Sequence, residues 1–521
     1  MSGSYDAVVV GSGFGGGVTA CRLAEAGWSV CVLERGRRFG RGDFPERPEQ
    51  APRAFWHRKA NPGGLFELRL MRDVAVLGAA GVGGGSLVYA NVQLRAPGEV
   101  FTAGWPRGLS RDVLDPYYDR VEDVLEPRAT PDNPPLHKLA ALDAQARLAN
   151  RPNERLPLAV HFGDDRRNPF SGVAQGGCTN LARCDLGCPR HAKNTVDLTY
   201  IARAEQLGAE VRPLHEAQRI EPPQSTGGNW RVGYRDLQYG VAGKVEAPVL
   251  VLAAGTLGST SLLLKNRRRL PALSPALGSR FSGNGDALGA AFGPEAAEVA
   301  DAQMHIGPVM TSRVDLLLER QHMVADGALP ENFSGLLNVV RSVDALAGWR
   351  RWLLRAKGAA ARAGLGEQVL APRDVKLASR PAVTDSFVYL MIGRDAADGR
   401  VRLTPLLRRL DVSWSKAAST KLFDSMRQTT EELAAAVRGD PYFALDGGPL
   451  GRYITVHPLG GSPMSDDAQE GVVDAYGRVH GYRGLRVADG SIVPTALGVN
   501  PSETIAALAE RNVEHLIAER P

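Results

Sequence analysis

Cysteine is scarce: five residues in a chain of 521 do not make a disulfide framework, and a reducing compartment is the simpler setting. Long apolar runs are missing as well. The longest, over residues 249–258, falls well short of the ~18 residues that a membrane-crossing helix needs. Neither sign of charge dominates: 62 Lys+Arg stand against 57 Asp+Glu, and the resulting +5 is spread along the chain, which argues against a nucleic-acid surface. The opening MSGSYDAVVV lacks a basic region followed by an apolar stretch and a small-residue cleavage site, so the expected location is cytoplasmic. No internal repeat or long low-complexity segment is found, and the proline cluster at residues 131–135 breaks the pattern only locally.

What is present is ordinary globular composition, 44% hydrophobic and 23% charged, with 59 Gly and 34 Pro to supply many tight turns. The length suits two or three domains. The first forty residues are the most informative. Residues 5–10 run into a β-branched strand, GSGFGG occupies 11–16, an amphipathic segment reaches about Ala26, and a second apolar run covers 28–33. In this strand–turn–helix–strand context Gly11 permits the tight turn, Gly13 lets the backbone approach a pyrophosphate, and Gly16 allows close helix packing, with the helix N-terminus facing the phosphates. Glu34 stands 23 residues after Gly11, at the end of the second strand, where a carboxylate accepts ribose hydroxyls. An acidic residue there favours a 2′-hydroxyl over a 2′-phosphate. This geometry serves NAD and FAD equally.

A second glycine-rich loop, AAGVGGGSLVYAN at 79–91, is suited to bring backbone N–H groups against a flat ring or an anionic oxygen. A helix is expected over 199–207, a strand over 209–220, a buried strand over 249–255 and a helix from about Ser259. Another helix is expected over 421–438, stopped by Gly439. Near the C-terminus a strand from Leu485 delivers Asp489-Gly490, and Asn500-Pro501 opens a helix in which Asn500 is a candidate N-cap.

Four blocks in order, the N-terminal glycine motif with Glu34, GVGGGSLVYANV from Gly81, VHPLGG from Val456 and GRVHGYRGLRVADGSIVPTALGVNPSETIAALAER from Gly477, resemble the glucose-methanol-choline (GMC) oxidoreductases, in their cholesterol-oxidase-like branch. The resemblance implies FAD as cofactor and an α/β architecture: a Rossmann-like FAD-binding domain, discontinuous over 1–45, 195–295 and 455–521, with an α+β substrate-binding domain and lid over 46–194 and 296–454. It implies cofactor contacts from Gly11, Gly13, Phe14, Gly15, Gly16, Glu34, Gly83, Gly84, Ser86, Asn91, Ala217, Asp489, Gly490 and Asn500. Asp489 and Gly490 would approach the ribityl chain and pyrophosphate.

Oxidising an alcohol requires a base for the hydroxyl proton while the carbon gives its hydride to the flavin. His457, held between Val456 and Pro458 ahead of paired glycines, is the candidate base. The resemblance has the matching histidine contact the substrate hydroxyl. Asn500 matches a position at which the branch carries asparagine, and it would bond the substrate oxygen or the flavin ring. The expected reaction is oxidation of a bulky, sterol-like alcohol to a ketone or aldehyde, with O2 or another electron acceptor. A sugar or other polar-alcohol dehydrogenase, or a catalytically idle flavin-binding partner protein, are the alternatives. Cholesterol oxidases also use a glutamate for isomerisation; the loosely aligned position here is Ala325, with Asp326 and Glu331 expected to be solvated loop residues, so isomerisation is not expected.

Three cysteines cluster as Cys178-x5-Cys184-x3-Cys188, one ligand short of a metal set unless His191 stands in; no metal is expected, and buried or loosely paired thiols are the simpler reading. Residues 349–362, WRRWLLRAKGAAAR, carry five basic residues, two Trp and two Leu without an acid. Such a helix suits peripheral contact with an anionic membrane surface, or a lid packed on the substrate domain.

Overall fold

The computed structural model describes residues 4–225, 227–330, 349–370, 386–415, 417–444 and 453–520. Its N-terminal strand, Ala7–Val10, is apolar at every position and buried, as is Val30–Leu33, and strands covered on both faces belong in the middle of a parallel sheet. They do so here. Five parallel strands lie in the order Leu485–Val487, Val249–Leu252, Ala7–Val10, Val30–Leu33, Glu210–Arg212, with Ala7 opposite both Val249 and Val30. Helices Phe14–Glu25 and Ser502–Ala518 pack together beside this sheet. A three-stranded antiparallel meander, His215–Glu221, Trp230–Asp236 and Ala242–Ala247, adjoins it.

The second unit is a six-stranded sheet, ordered Asp440–Phe443, Ala287–Phe292, Ser386–Gly393, His322–Asp326, Ser312–Leu316, Asn153–Arg155, antiparallel throughout. Helix Thr420–Ala436 turns Leu422, Phe423, Met426 and Leu433 inward at helical spacing, and they share a core with Phe387, Tyr389 and Met391. Along Ser386–Gly393 the pleat sends Phe387 and Tyr389 into that core and Val388, Leu390 and Ile392 towards a cavity between the two units. Among the described residues no helix is long and apolar enough to cross a membrane.

Several local expectations are corrected. The helix expected over 199–207 is present, and what differs is its start, a π-helical turn Asp197–Ile201 that continues into the α-helix Ala202–Gln206. The single strand expected over 209–220 is two, Glu210–Arg212 in the parallel sheet and His215–Glu221 in the meander, because Leu214 takes a left-handed conformation (φ 60°) that turns the chain between them. The helix expected from Ser259 starts at Gly255, whose N–H donates to Asp489 Oδ2 at 3.0 Å. Strand Ala287–Phe292 pairs with Ser386–Gly393, so it belongs to the second unit and a division at 295 would cut that sheet. Asp326 is not a solvated loop residue. It is fully buried at the end of its strand, 2.5 Å from Lys138 Nζ, and accepts from the Thr311 and Ser312 N–H groups. Ala325 is likewise buried, and Glu331 lies outside the described residues.

Candidate active site

The ends of the parallel strands open onto a cavity of about 1320 Å3, larger than the roughly 300–1,000 Å3 of a single small-ligand pocket. Its floor is the glycine turn. Gly11 has φ +102°, and a Cβ there would lie 2.2 Å from the Ala253 carbonyl oxygen. Gly15 is tighter still: its Cβ would fall 1.5 Å from the Ala488 oxygen, so its absence lets the helix meet the strand that ends in Asp489. Gly13 differs. A Cβ on it would meet only Gly84 Cα at 3.8 Å, so the chain's own packing does not require glycine there.

Helix Phe14–Glu25 has no side-chain cap, which leaves N–H groups at its first turn directed at the cavity. Glu34 is buried, with Oε2 accepting from Ser12 Oγ at 2.7 Å and Oε1 from the Gly36 N–H at 2.8 Å; burial pushes its carboxyl up from the usual range. Asp489 ties the end of its strand to helix Gly255–Asn266, its Oδ2 accepting from Ser259 Oγ and its Oδ1 from the Ser491 N–H, and burial pushes it up as well. Gly11, Gly13, Phe14, Gly15, Glu34, Gly84, Ala217, Asp489, Gly490, His457 and Asn500 all line the cavity. Gly16, Gly83, Ser86 and Asn91 lie behind its wall. Gly16 packs on the Gly11 carbonyl, the Gly83 N–H donates to Ser12 Oγ, Ser86 Oγ bridges the Gly83 carbonyl and the Val196 N–H, and Asn91 is fully buried.

At the opposite end stands His457. Its Nδ1 lies 2.7 Å from Asp286 Oδ1, which makes Nδ1 the protonated nitrogen and leaves the Nε2 lone pair in the cavity. Asp286 Oδ2 accepts from the Val456 and His457 N–H groups, so one carboxylate sets both the backbone and the ring. Asn500 Nδ2 is 3.5 Å from His457 Nε2, and Asn500 Oδ1 has no partner. The expectation that Asn500 caps the terminal helix is corrected: Pro501 occupies the cap position without a side-chain bond, and Asn500 lines the cavity instead, its Oδ1 without a partner.

Neither Asp286 nor its neighbour Asn284 was found from the sequence. The turn Ser282-Gly283-Asn284-Gly285-Asp286 clamps the loops that carry His457 and Asn500. Asn284 Oδ1 accepts from the Leu497 and Gly498 N–H groups and its Nδ2 donates to the Val499 carbonyl, while Asp286 holds His457. The partners are 171 to 215 positions apart, so only a paired alignment of the two segments could have signalled them.

Cys178, Cys184 and Cys188 are free thiols, and burial pushes the Cys178 thiol up to about 12. Among the described residues no group of three or more His, Cys, Asp or Glu is placed to hold a metal.

A groove built for a dinucleotide that runs to a carboxylate-backed imidazole defines a two-domain dinucleotide-dependent oxidoreductase. GMC oxidoreductase family models match residues 5–267 and, for the C-terminal part, 395–509. A cholesterol oxidase of Mycobacterium tuberculosis is 30% identical, covering 98% of this chain and 91% of that protein. One from Acinetobacter baumannii is 27% identical over 99% and 95%. A long-chain-alcohol oxidase of Arabidopsis thaliana is 26% identical over 97% and 66%. Among solved structures, pyridoxine 4-oxidase from Mesorbium loti superimposes with a TM-score of 0.62 at 16% identity, covering 99% of this chain and all of that one, and a fungal aryl-alcohol oxidase with 0.60 at 16%, covering 99% of both. The chain belongs to the GMC oxidoreductase family. It is an FAD-dependent oxidoreductase acting on alcohol donors. The residues present fit FAD: the uncapped helix end, the space left open at Gly13 and Gly85, and the unpartnered Asn500 Oδ1 all face one continuous cavity.

Proposed function

We propose that the protein oxidises a primary or secondary alcohol on a bulky, mainly apolar, sterol-like molecule to an aldehyde or ketone, using O2 or another small electron acceptor. The observation that carries this is the Asp286–His457 pair, whose Nε2 faces the cavity beside the Asn500 amide. His457 Nε2 takes the hydroxyl proton, the Asp286 carboxylate steadies the imidazolium through Nδ1–H, and Asn500 Nδ2 donates to the substrate oxygen. FAD, when bound, supplies the acceptor for the carbon's hydride. Gly11, Gly13, Phe14, Gly15, Glu34, Gly84, Ala217, Asp489 and Gly490 would hold it, over loops shaped by Gly16, Gly83, Ser86 and Asn91.

The apolar wall of Met304, Leu329, Val388, Leu390 and Ile392, together with the cholesterol-oxidase and long-chain-alcohol-oxidase relatives, supports a hydrophobic substrate over a sugar. The buried Ala325 offers no carboxylate for isomerisation, and the intact dyad disfavours an idle flavin-binding partner. Anaerobic bleaching of the bound flavin by a panel of sterols, long-chain alcohols and sugars is the test. Bleaching by sterols or long-chain alcohols is expected; bleaching by sugars alone overturns the substrate class.

For the basic segment 349–362 the proposed partner is an anionic lipid surface. Helix Trp349–Ala360 leaves Trp352 70% exposed, and the hairpin between Arg400–Leu403 and Leu410–Ser413, to which Glu367 beyond the helix bonds at the Leu410 carbonyl, leaves Leu406 94% exposed, with Arg408 and Arg409 beside it. Sedimentation with phosphatidylglycerol vesicles but not phosphatidylcholine vesicles is expected. Equal recovery in both supernatants refutes the contact.

A further inference from the structure

The cysteine-bearing loop is unused by the reading above, yet it delivers a side chain to the cavity. Asp185 sits in the single turn Cys184–Leu186, and its neighbours on either side point away from the cavity. Cys184 is buried and its carbonyl accepts from Lys193 Nζ at 2.8 Å; the other Lys193 N–H groups go to the Leu87 and Tyr89 carbonyls. Leu186 packs with Phe39 and Phe44, and Gly187 (φ +96°) lies so close to Phe44 that a Cβ would come within 1.9 Å of its ring. The turn is thus pinned on both sides, and Asp185 is left on the cavity wall.

Every other carboxylate lining this cavity is engaged: Glu34 by Ser12 and Gly36, Glu67 by Arg35 and Arg69, Glu216 by Arg58, Asp286 by His457, Asp301 by His137, Glu367 by Arg69, and Asp489 by Ser259 and Ser491. Among the described residues Asp185 makes no hydrogen bond or ion pair, and the hydrogens of nearby Lys193 are spent on carbonyls. Asp185 is half-buried with its carboxyl on the cavity wall, and an acceptor held there without a protein partner is placed to meet a donor on a bound ligand. Burial pushes it up to about 6, against the opposing charges of Lys193, His457 and Lys138.

We propose that Asp185 is a specificity-determining residue that accepts a hydrogen bond from a second donor group on the substrate, a hydroxyl or a protonated amine set apart from the alcohol being oxidised. This rests on His457 marking the position of the reacting alcohol. The FAD-loaded wild type, Asp185→Leu and Asp185→Asn are compared on 1-decanol, 1,10-decanediol and 10-amino-1-decanol, reading kcat/KM and, from the perturbed band of the oxidised flavin under slow turnover, Kd. The wild type should favour the diol or the amino-alcohol over decanol by ten-fold or more. Asp185→Leu should abolish that preference while oxidising decanol at least as well. Asp185→Asn, which keeps the shape and a hydrogen-bonding oxygen but no charge, should retain a preference for the diol and lose one for the amine; it carries the test alone if the leucine variant does not fold. An unchanged preference in both variants, or an equal loss on all three alcohols, overturns the proposal. Bleaching neither by any of these three alcohols nor by sterols overturns instead the reading on which it rests.

Discussion

The cofactor half and the substrate half of this molecule are built on different principles. Around the glycine turn, strand, helix and acid follow one another within 34 residues, and the contacts that shape the floor are between backbones: Gly11 on Ala253, Gly15 on Ala488, Gly16 on Gly11. Around His457 the ring, its carboxylate and the facing amide come from three distant segments, and the six-stranded sheet behind them is assembled from pieces between residues 153 and 443. The first half is shaped by backbone packing, which at Gly11, Gly15 and Gly16 tolerates no added atom. The second acts by side-chain chemistry, which tolerates no lost partner.

That contrast can be broken at four points. The largest effect is expected from His457→Ala, which removes the base without touching the glycine floor: kcat should fall by ~10²–10⁴ while the protein stays yellow, as rapid-mixing flavin reduction and the absorption spectrum would show. A kcat within two-fold of wild type would remove His457 from the chemistry. Next, Lys138→Met leaves Asp326 buried and unpaired at the end of a substrate-sheet strand; the chain should lose about 3–5 kcal/mol by denaturant titration, and the loss should shrink in Lys138→Met/Asp326→Leu.

A sharper comparison lies inside the glycine turn. Gly13→Ala should fold with an unchanged melting temperature in the FAD-free protein and weaken FAD by about ten-fold in a fluorescence titration, roughly one charge-assisted hydrogen bond to a phosphate. Gly15→Ala should instead destabilise the FAD-free protein itself, because its Cβ collides with the Ala488 carbonyl. If the two variants behave alike, the division between ligand-imposed and packing-imposed glycine fails.

The smallest effect concerns Glu503, buried in the first turn of the terminal helix. Burial first, then the neighbouring Glu122 carboxylate, push its carboxyl up to about 9. Since this lies above the unfolded-state value of about 4.3, the group's stabilising contribution is complete below that pH and is lost as pH rises through about 9. Glu503→Gln should therefore raise the melting temperature by roughly 2–4 °C at pH 8 and by progressively less towards pH 4.5, read by calorimetry.

Much of the cofactor half was legible in the residues. GSGFGG followed by Glu34 lies on contiguous chain, and the strand–turn–helix that it specifies is where the structure puts it. Local reading went astray where tertiary partners override local pattern: Leu214 splits an apparent strand, and Gly255, which resembles a strand end, opens a helix because Asp489 reaches its N–H. Asp326 looked like a loop carboxylate because nothing near it in sequence announces Lys138, 188 positions away. Asp185 lies between Cys184 and Cys188, and nothing adjacent to it in sequence marks it as a cavity-facing carboxylate.

What the residue order determined by itself was the dinucleotide floor and the presence of a histidine and an asparagine in glycine-rich loops, because backbone conformation near glycine and proline depends on immediate neighbours. Which nitrogen of His457 faces the cavity, which carboxylate backs its ring, and that Asp185 lies on the cavity wall were decided only by the tertiary fold. A side chain's protonation and partners are set by what surrounds it in space, and chain separation carries almost no record of that.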